Sequence, residues 1–300
     1  SKYQDWLLEY IEKHPEFVWP EKHRNEIVSF IKQGLKDFSI SRKKEKVSWG
    51  IPVPDDPNHT IYVWFDALIN YLTYGVEENC WPATIHVLGK DNQRFHAIYW
   101  PAMLKSARYE LPKTILVHDF ISLNGQKISK SLGNVIRPSG LVAKYGTDGV
   151  RYYFLRYGPL TEDIDISLER ITGTYNSDLA NGLGNLVSRV AKLAEKIDYS
   201  LPTTDHGLYS ETKDFLNDFR VDQALEFIWT KIKDLDGEIE KAQPWKLTNT
   251  DLTGFLGKII PDIRQLAYNL TSFLPETAEK IQKQFSGKIK AGPPLFPRIK

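Results

Sequence analysis

The chain has 300 residues, 41% hydrophobic and 26% charged, with a formal net charge of +1. This balance excludes a low-complexity or disordered chain and leaves room for two domains with sizeable cores. It also excludes a broad positive field, so any nucleic-acid partner must be read by local side chains.

The single cysteine, Cys80, excludes an internal disulfide framework and a multi-cysteine zinc site, and fits a reducing, cytoplasmic setting. No apolar run approaches a membrane span, and the charged, aromatic start does not resemble a signal peptide. Residues 1–10 open directly into a helical pattern without a capping or initiator segment, which suggests a piece of a longer protein.

Helical spacing predicts short helices over residues 3–13 and 24–35, separated by breaks at Pro15 and Pro20. Residues 38–42 alternate as a strand, and the proline-rich 47–57 reads as a connecting loop. A buried strand is expected over 60–66, followed by a helix over 67–74. Residues 84–89 form the continuous apolar type of strand found in a parallel sheet covered on both faces. A helix over 93–106 and a strand over 114–118 follow. Strands alternating with helices imply right-handed crossovers and an α/β, doubly wound, Rossmann-like parallel sheet, with ligands beyond the carboxyl ends of the strands. Those ends carry Trp64, Phe65 and Asp66, then Gly89, Lys90 and Asp91, then His118 and Asp119.

Residues 123–134 place Lys127, Ser129, Lys130 and Ser131 in a tight polar loop, between a β-type run over 114–122 and a helix over 138–145. Ammonium groups, short hydroxyl donors and a glycine suit a polyphosphate. On spacing alone, a Lys/Ser-rich segment after Asn124-Gly125 reads first as a solvated hairpin loop. Beyond Ser131 helical spacing dominates, over 148–157, 169–197, 211–218, 222–241, 252–273 and 276–285. One apolar stripe runs through Tyr175, Leu179, Leu183, Leu186, Val187, Val190, Ala194 and Ile197. An all-α bundle is expected, joined near Gly158-Pro159 or within 161–167, with the tail over 292–298 packed on it as a strap.

Taken singly, a tryptophan or a histidine in these runs reads as core packing, Asp91 as a helix cap and the Asn185/Arg189 pair as a solvated helix face. Together and in this order the residues resemble the methionyl-tRNA synthetases, a branch of the class I aminoacyl-tRNA synthetases. Lys127-Ile128-Ser129-Lys130-Ser131 resembles the family's KMSKS loop, with isoleucine in the methionine position. Tyr62-Val63-Trp64-Phe65-Asp66-Ala67-Leu68-Ile69-Asn70-Tyr71 is similar to its methionine-pocket segment. Gly89-Lys90-Asp91 followed by Arg94-Phe95-His96-Ala97-Ile98-Tyr99-Trp100-Pro101 resembles its nucleotide and methionine contacts. Ser39-Ile40-Ser41-Arg42 and Trp49-Gly50-Ile51-Pro52 lie upstream as they do in that family.

The resemblance implies that methionine, activated by ATP with Mg2+, is passed to tRNA(Met). Lys127 and Lys130 would be catalytic. Gly89, Asp91, His118, Ile121, Lys127, Ser129 and Lys130 would contact ATP. Trp64, Ala67, Leu68, Tyr71, His96 and Trp100 would hold methionine, and Asn185, Arg189 and Trp245 would read the anticodon. Single-stranded loop bases are stacked on aromatic or guanidinium planes, which suits the last group.

Three features depart from the family pattern. Asp119 stands where a glycine usually follows the histidine, and the His-Ile-Gly-His type signature is missing, as is most of the zinc-binding insertion. The implied organisation is the end of that insertion over 1–37, the second half of the catalytic domain with its lysine loop over 38–160, and a helical anticodon-binding domain over 161–300. Such a piece is expected to be inactive alone and to need a separately supplied N-terminal half. The competing expectation is a non-catalytic tRNA-binding module. A class I enzyme for leucine, isoleucine, valine or cysteine fits the pocket segments less well.

Overall fold

The computed structural model describes residues 1–129, 133–197, 199–201 and 206–300. Two compact units emerge, one from residues 1–120 with 160–163, the other from 121–159 with 164–300.

The first unit begins with α1 (Gln4–Lys13), β1 (Val18–Trp19) and α2 (Glu21–Lys32). Leu7 and Ile11 on α1, and Ile27 and Ile31 on α2, recur at a spacing of four, so each helix buries one stripe. These stripes close over Phe17, Val18, Ile115 and Val117. Next come β2 (Ser41–Lys43), β3 (Pro52–Val53) and β4 (Asp56–Ile61), paired antiparallel in the order β2-β4-β3. Helix α3 (Val63–Glu77) follows at once. The strand expected over 60–66 therefore ends at Ile61, and the loop expected over 47–57 holds β3 and the start of β4. Trp64 and Asp66 lie in the first turn of α3, not at a strand end. Aromatic and β-branched residues suit both states, and the helical burial of Leu68 and Gly75 decides between them.

The parallel sheet has the order β1-β6-β5, with β5 (Ile85–Gly89) and β6 (Thr114–His118) flanking α4 (Trp100–Ala107). The two-residue β1, missed by periodicity, pairs Val18 with Ile115. Only one face of β5 is covered: His86 and Leu88 are buried, whereas Ile85 and Val87 are exposed. The helix expected over 93–106 is present, with a π turn (Phe95–Tyr99) running into α4.

The second unit starts with a hairpin of β7 (Ile121–Leu123) and β8 (Gln126–Lys127). Its two-residue turn, Asn124 and Gly125, has φ values of 51° and 74°. Two positive φ angles in succession match strand twist and favour Asn-Gly. Helix α5 (Pro138–Tyr157) is continuous in outline but bends at Gly146, whose φ of 72° is left-handed. Strand β9 (Ile164–Ile166) lies parallel to β7.

Helix α6 (Leu168–Thr174), a π segment (Tyr175–Gly184) and α7 (Asn185–Lys196) then form one helical rod, whose stripe from Tyr175 to Ala194 is buried. Burying each Leu or Val fully contributes about 1.5–3 kcal/mol. The stripe packs among α9 (Val221–Ala242), α10 (Asn249–Leu270) and α11 (Pro275–Gln284), with α8 (Ser210–Asn217) against α9. Strands β10 (Ser200–Leu201) and β11 (Gly287–Lys288) pair antiparallel.

Side chains finish the helix ends. Asp148 accepts the Thr277 N–H (2.6 Å) at the start of α11, and Arg151 donates to the carbonyls of Ser272 and Phe273 beyond α10. The tail is strapped down through Phe296, which is buried, and through Asn176, which exchanges hydrogen bonds with the backbone of Ile299.

Candidate active site and RNA-facing residues

Helix α3 puts Leu68 and Tyr71 one turn apart, and the π turn puts His96 and Trp100 four residues apart, so both pairs share a face. His96 Nδ1 lies 3.1 Å from the Asn92 carbonyl, which only accepts, so Nδ1 carries the proton. Nε2 is then an acceptor, and Tyr71 Oη, 3.0 Å away, donates to it. Burial lowers the His96 pKa, with the Asn92 hydrogen bond opposing, and burial raises that of Tyr71. The pair is thus neutral, with one tautomer.

The Tyr71 ring lies 5.7 Å from His96 and 6.0 Å from Trp100, and Trp81 meets Trp100 edge-on at 5.8 Å. Trp100 is fully buried and Leu68 packs with it, so these two back the cluster, while Tyr71, 39% exposed, faces solvent. Trp64 stacks on Phe95 at 4.6 Å, next to His96, and Ala67 is half-buried. His86 completes the group. Its ring is 4.4 Å from Tyr71 and 5.9 Å from His96, and burial, followed by repulsion from His96 when that ring is protonated, lowers its pKa to about 4. An uncharged aromatic surface of this kind suits a polarizable thioether, because sulfur gains from ring contacts.

Gly89 and His118 are register partners at the carboxyl ends of β5 and β6. A Cβ on Gly89 would stand 3.1 Å from Asp91 Oδ1 and 3.4 Å from His118 Cε1, so the glycine keeps open the gap between carboxylate and imidazole. His118 Nδ1 donates to the Asp119 carbonyl (2.9 Å), leaving Nε2 as an acceptor. Two acceptors around a gap fit the hydroxyl and amino groups of a nucleoside.

Asp119, where a glycine was expected, is not part of that gap. Its side chain is fully buried, with Lys90 Nζ at 3.2 Å and Lys22 Nζ and His23 Nε2 at 3.4 Å. Lys90 also pairs with Asp163 (2.5 Å), and Asp163 accepts the Phe120 N–H (2.8 Å). Burial alone would lower the Lys90 pKa, but hydrogen bonds and charge from Asp163 and Asp119 outweigh it and raise it. Asp119 therefore acts as an internal counter-ion that ties the end of β6 to the loop carrying Gly89 and Asp91.

In the second unit, Ile121 is half-buried against the helical core. Lys127 is exposed at the end of β8. The Asn134 side chain clips the loop, accepting the Ser129 N–H (2.9 Å) and donating to the Lys127 carbonyl (3.0 Å). Lys130 lies outside the described residues. On α7, Asn185 is exposed, and Arg189 is held by Asp236 (2.9 Å) and Glu240 (2.7 Å) of α9. The Arg189 guanidinium lies 5.8 Å from the centre of the Trp245 ring, and Trp245 is 50% exposed. A left-handed Gln243 (φ 46°) ends α9 and starts the short turn Pro244–Lys246 that carries this tryptophan.

Sequence reasoning missed His86, Asn134, Asp236 and Glu240. The alternation of β5, which puts His86 on the same face as Leu88, was a usable signal for the first. A spacing of four on a predicted helix was one for the acidic pair.

A family model described as tRNA synthetases class I (M) matches residues 1–191. The chain belongs to the class I tRNA synthetases, and its branch within them is the methionyl-tRNA synthetases. It is 40% identical to the methionine–tRNA ligase of Thermotoga maritima, covering 97% of this chain and 50% of that protein. It is 41% identical to that of Rhizobium meliloti, over 94% of this chain and 59% of that one. The chain thus spans about half to three-fifths of these relatives. The methionyl-tRNA synthetase of Mycobacterium tuberculosis, solved with methionyl-adenylate, superposes with a TM-score of 0.88 at 34% identity, over 100% of this chain and 67% of that one. Among the described residues no helix is long and apolar enough to cross a membrane, and no group of three or more His, Cys, Asp or Glu is set to hold a metal ion.

Proposed function

We propose that this chain supplies the second half of the catalytic sheet, the lysine loop and the anticodon-reading helices of a methionine–tRNA ligase. In this reading residues 1–37 end the connective insertion, 38–160 complete the catalytic domain and 161–300 form the anticodon-binding domain. A methionine carboxylate oxygen attacks the α-phosphorus of ATP, the new oxygen–phosphorus bond forms as the bond to the bridging oxygen breaks, and pyrophosphate leaves; a ribose hydroxyl at the 3′ end of tRNA(Met) then attacks the methionyl carbonyl, releases its proton, and AMP leaves.

The observation that carries this reading is the neutral Tyr71–His96 pair within its aromatic cluster, which matches a linear thioether. Trp64, Ala67, Leu68 and Trp100 frame the same side chain. Gly89, Asp91, His118 and Ile121 are assigned to the nucleoside. Lys127, Ser129 and Lys130 are assigned to the phosphates, with Mg2+ entering with ATP. Lys130 neutralises charge that builds on the departing pyrophosphate, and losing such a contact costs roughly 2.7–4 kcal/mol. Asn185, Arg189 and Trp245 read the anticodon in the cytoplasm.

Methionine-dependent ATP–pyrophosphate exchange tests the assignment. The 300-residue chain alone is expected to be near background, and adding a polypeptide equivalent to the remaining half of a relative is expected to restore exchange that Lys130→Ala abolishes. Near-normal exchange by the chain alone contradicts the fragment reading. Restored exchange that Lys130→Ala leaves intact contradicts the catalytic one and favours a tRNA-binding module.

A further inference from the structure

Trp49 is the most exposed of the large hydrophobic side chains, at 84%, and no ring or cation contact holds it among the described residues. Its exposure is built in. A Cβ on Gly50 would lie 2.8 Å from Thr60 Cβ and 3.0 Å from Thr60 Oγ1, so only glycine lets this backbone press on β4. Thr60 is fully buried and its hydroxyl donates to the Val47 carbonyl (3.3 Å). Trp49 is thereby pinned on both sides and held outward.

The preceding residues form a knuckle of consecutive tight turns, with the N–H groups of Lys46 and Val47 donating to the Lys43 carbonyl (2.9 and 3.2 Å) and that of Gly50 to the Val47 carbonyl (3.4 Å). Lys43, Lys44 and Lys46 are exposed on this knuckle. None of the three is ion-paired among the described residues, and Glu45 is the one acid among them. The fourth cation, Arg42, is occupied: its guanidinium lies 3.6 Å from the centre of the Tyr62 ring and donates to the carbonyls of Ser39 and Ser41.

An outward aromatic plane beside three free ammonium groups is the combination that holds an unpaired nucleic-acid strand, the ring stacking on a base and the cations tracking phosphates. We infer that the 43–50 knuckle binds an unpaired RNA strand, with Trp49 stacking on one base. The strand in question is the unpaired 3′ end of the tRNA. This identification rests on the ligase reading above, in which that end must reach the methionine site. The Tyr62 N–H donates to the Ile40 carbonyl (2.9 Å), which anchors this sheet at the start of α3, the helix bearing Trp64 and Tyr71. The lysines favour a polyanion over a polypeptide as the occupant.

The test is fluorescence anisotropy on the 300-residue chain with two labelled probes, an unstructured RNA oligonucleotide and an RNA hairpin displaying the anticodon. Trp49→Ala is expected to weaken the unstructured RNA about 5- to 150-fold, the range for one lost stacked base, and Trp49→Phe to recover most of it. Replacing Lys43, Lys44 and Lys46 by alanine should flatten the dependence of log affinity on log salt by about 2, at roughly 0.7 per phosphate contact on a single strand. Hairpin binding should be unchanged by these substitutions and weakened by Trp245→Ala. Equal binding of the unstructured RNA by Trp49→Ala and the parent chain overturns the inference. So does a parent chain that binds the hairpin but not the unstructured strand. Hairpin binding indifferent to Trp245→Ala overturns the tRNA-ligase assignment of the helices instead.

Discussion

The Asn92 carbonyl fixes the proton of His96, His96 in turn accepts that of Tyr71 in a hydrogen bond, and His86 beside them is a residue whose charge the fold resists. Burial brings its pKa down from an ordinary 6.5 to about 4. Above pH 6.5 the folded and unfolded chains both carry neutral His86, and the stabilisation is complete. Between pH 6.5 and about 4 the unfolded chain takes up a proton that the folded chain refuses, so stability falls, by on the order of 3 kcal/mol once both are protonated. His96 is lowered by burial too and adds in the same direction. Replacing His86 with Phe keeps a ring and removes the proton. Thermal unfolding of the parent chain should therefore lose more between pH 7 and pH 4.5 than that of His86→Phe, and parallel curves would show that His86 titrates normally.

At the scale of elements, the paired ends of β5 and β6 hold the gap that Gly89 keeps open. The backbone there is unstrained, with φ of −76°, so Gly89→Ala should change stability by less than about 0.5 kcal/mol. The new methyl would take up space between Asp91 and His118 that is assigned to the nucleoside, and a steric overlap of about 1–3 kcal/mol with the bound nucleoside would lower ATP affinity by 5- to 150-fold at unchanged Tm. Equal ATP affinity would place the nucleoside elsewhere.

Elements with one strong periodicity were legible in the sequence: α1, α9 and the rod ending in α7 fall where the apolar stripes put them. What the pattern could not decide was the 60–66 run, whose residues serve strand or helix equally, and β1, two residues long and held only by pairing with β6. In the candidate site, Gly89 and His118 were legible as strand ends, and Asp91 as part of the turn that follows the first of them. So were Tyr71, His96 and Trp100 as ring positions, although Trp100 proved to be backing and not surface. Asp119 could be marked as a departure, but its work as a counter-ion depends on Lys22 and His23, nearly 100 residues away in the chain. Such long-range pairings leave no local signal.

For the molecule as a whole, the informative surface is the one left without a neighbour. Among the described residues β5 pairs on one side only, and its outer face carries Ile85 and Val87, the latter 68% exposed. In the same unit an apolar cavity of about 960 Å³ is lined by Phe65, Ile69, Leu72, Val76, Tyr99 and Met103. Monomeric proteins rarely leave a flat strand edge and a large apolar patch together, because both invite association. At micromolar concentration the chain should therefore self-associate. Val87→Lys, which adds a charge at an exposed position and removes no packing, should shift sedimentation toward the monomer with little change in Tm. Supplying the other half of a relative should have the same effect on the parent chain and little on the variant, since one surface serves both contacts. A parent chain that sediments as a monomer throughout, with Val87→Lys indistinguishable from it, would mean that the open edge of β5 is tolerated by this fold and is not a seat for further polypeptide.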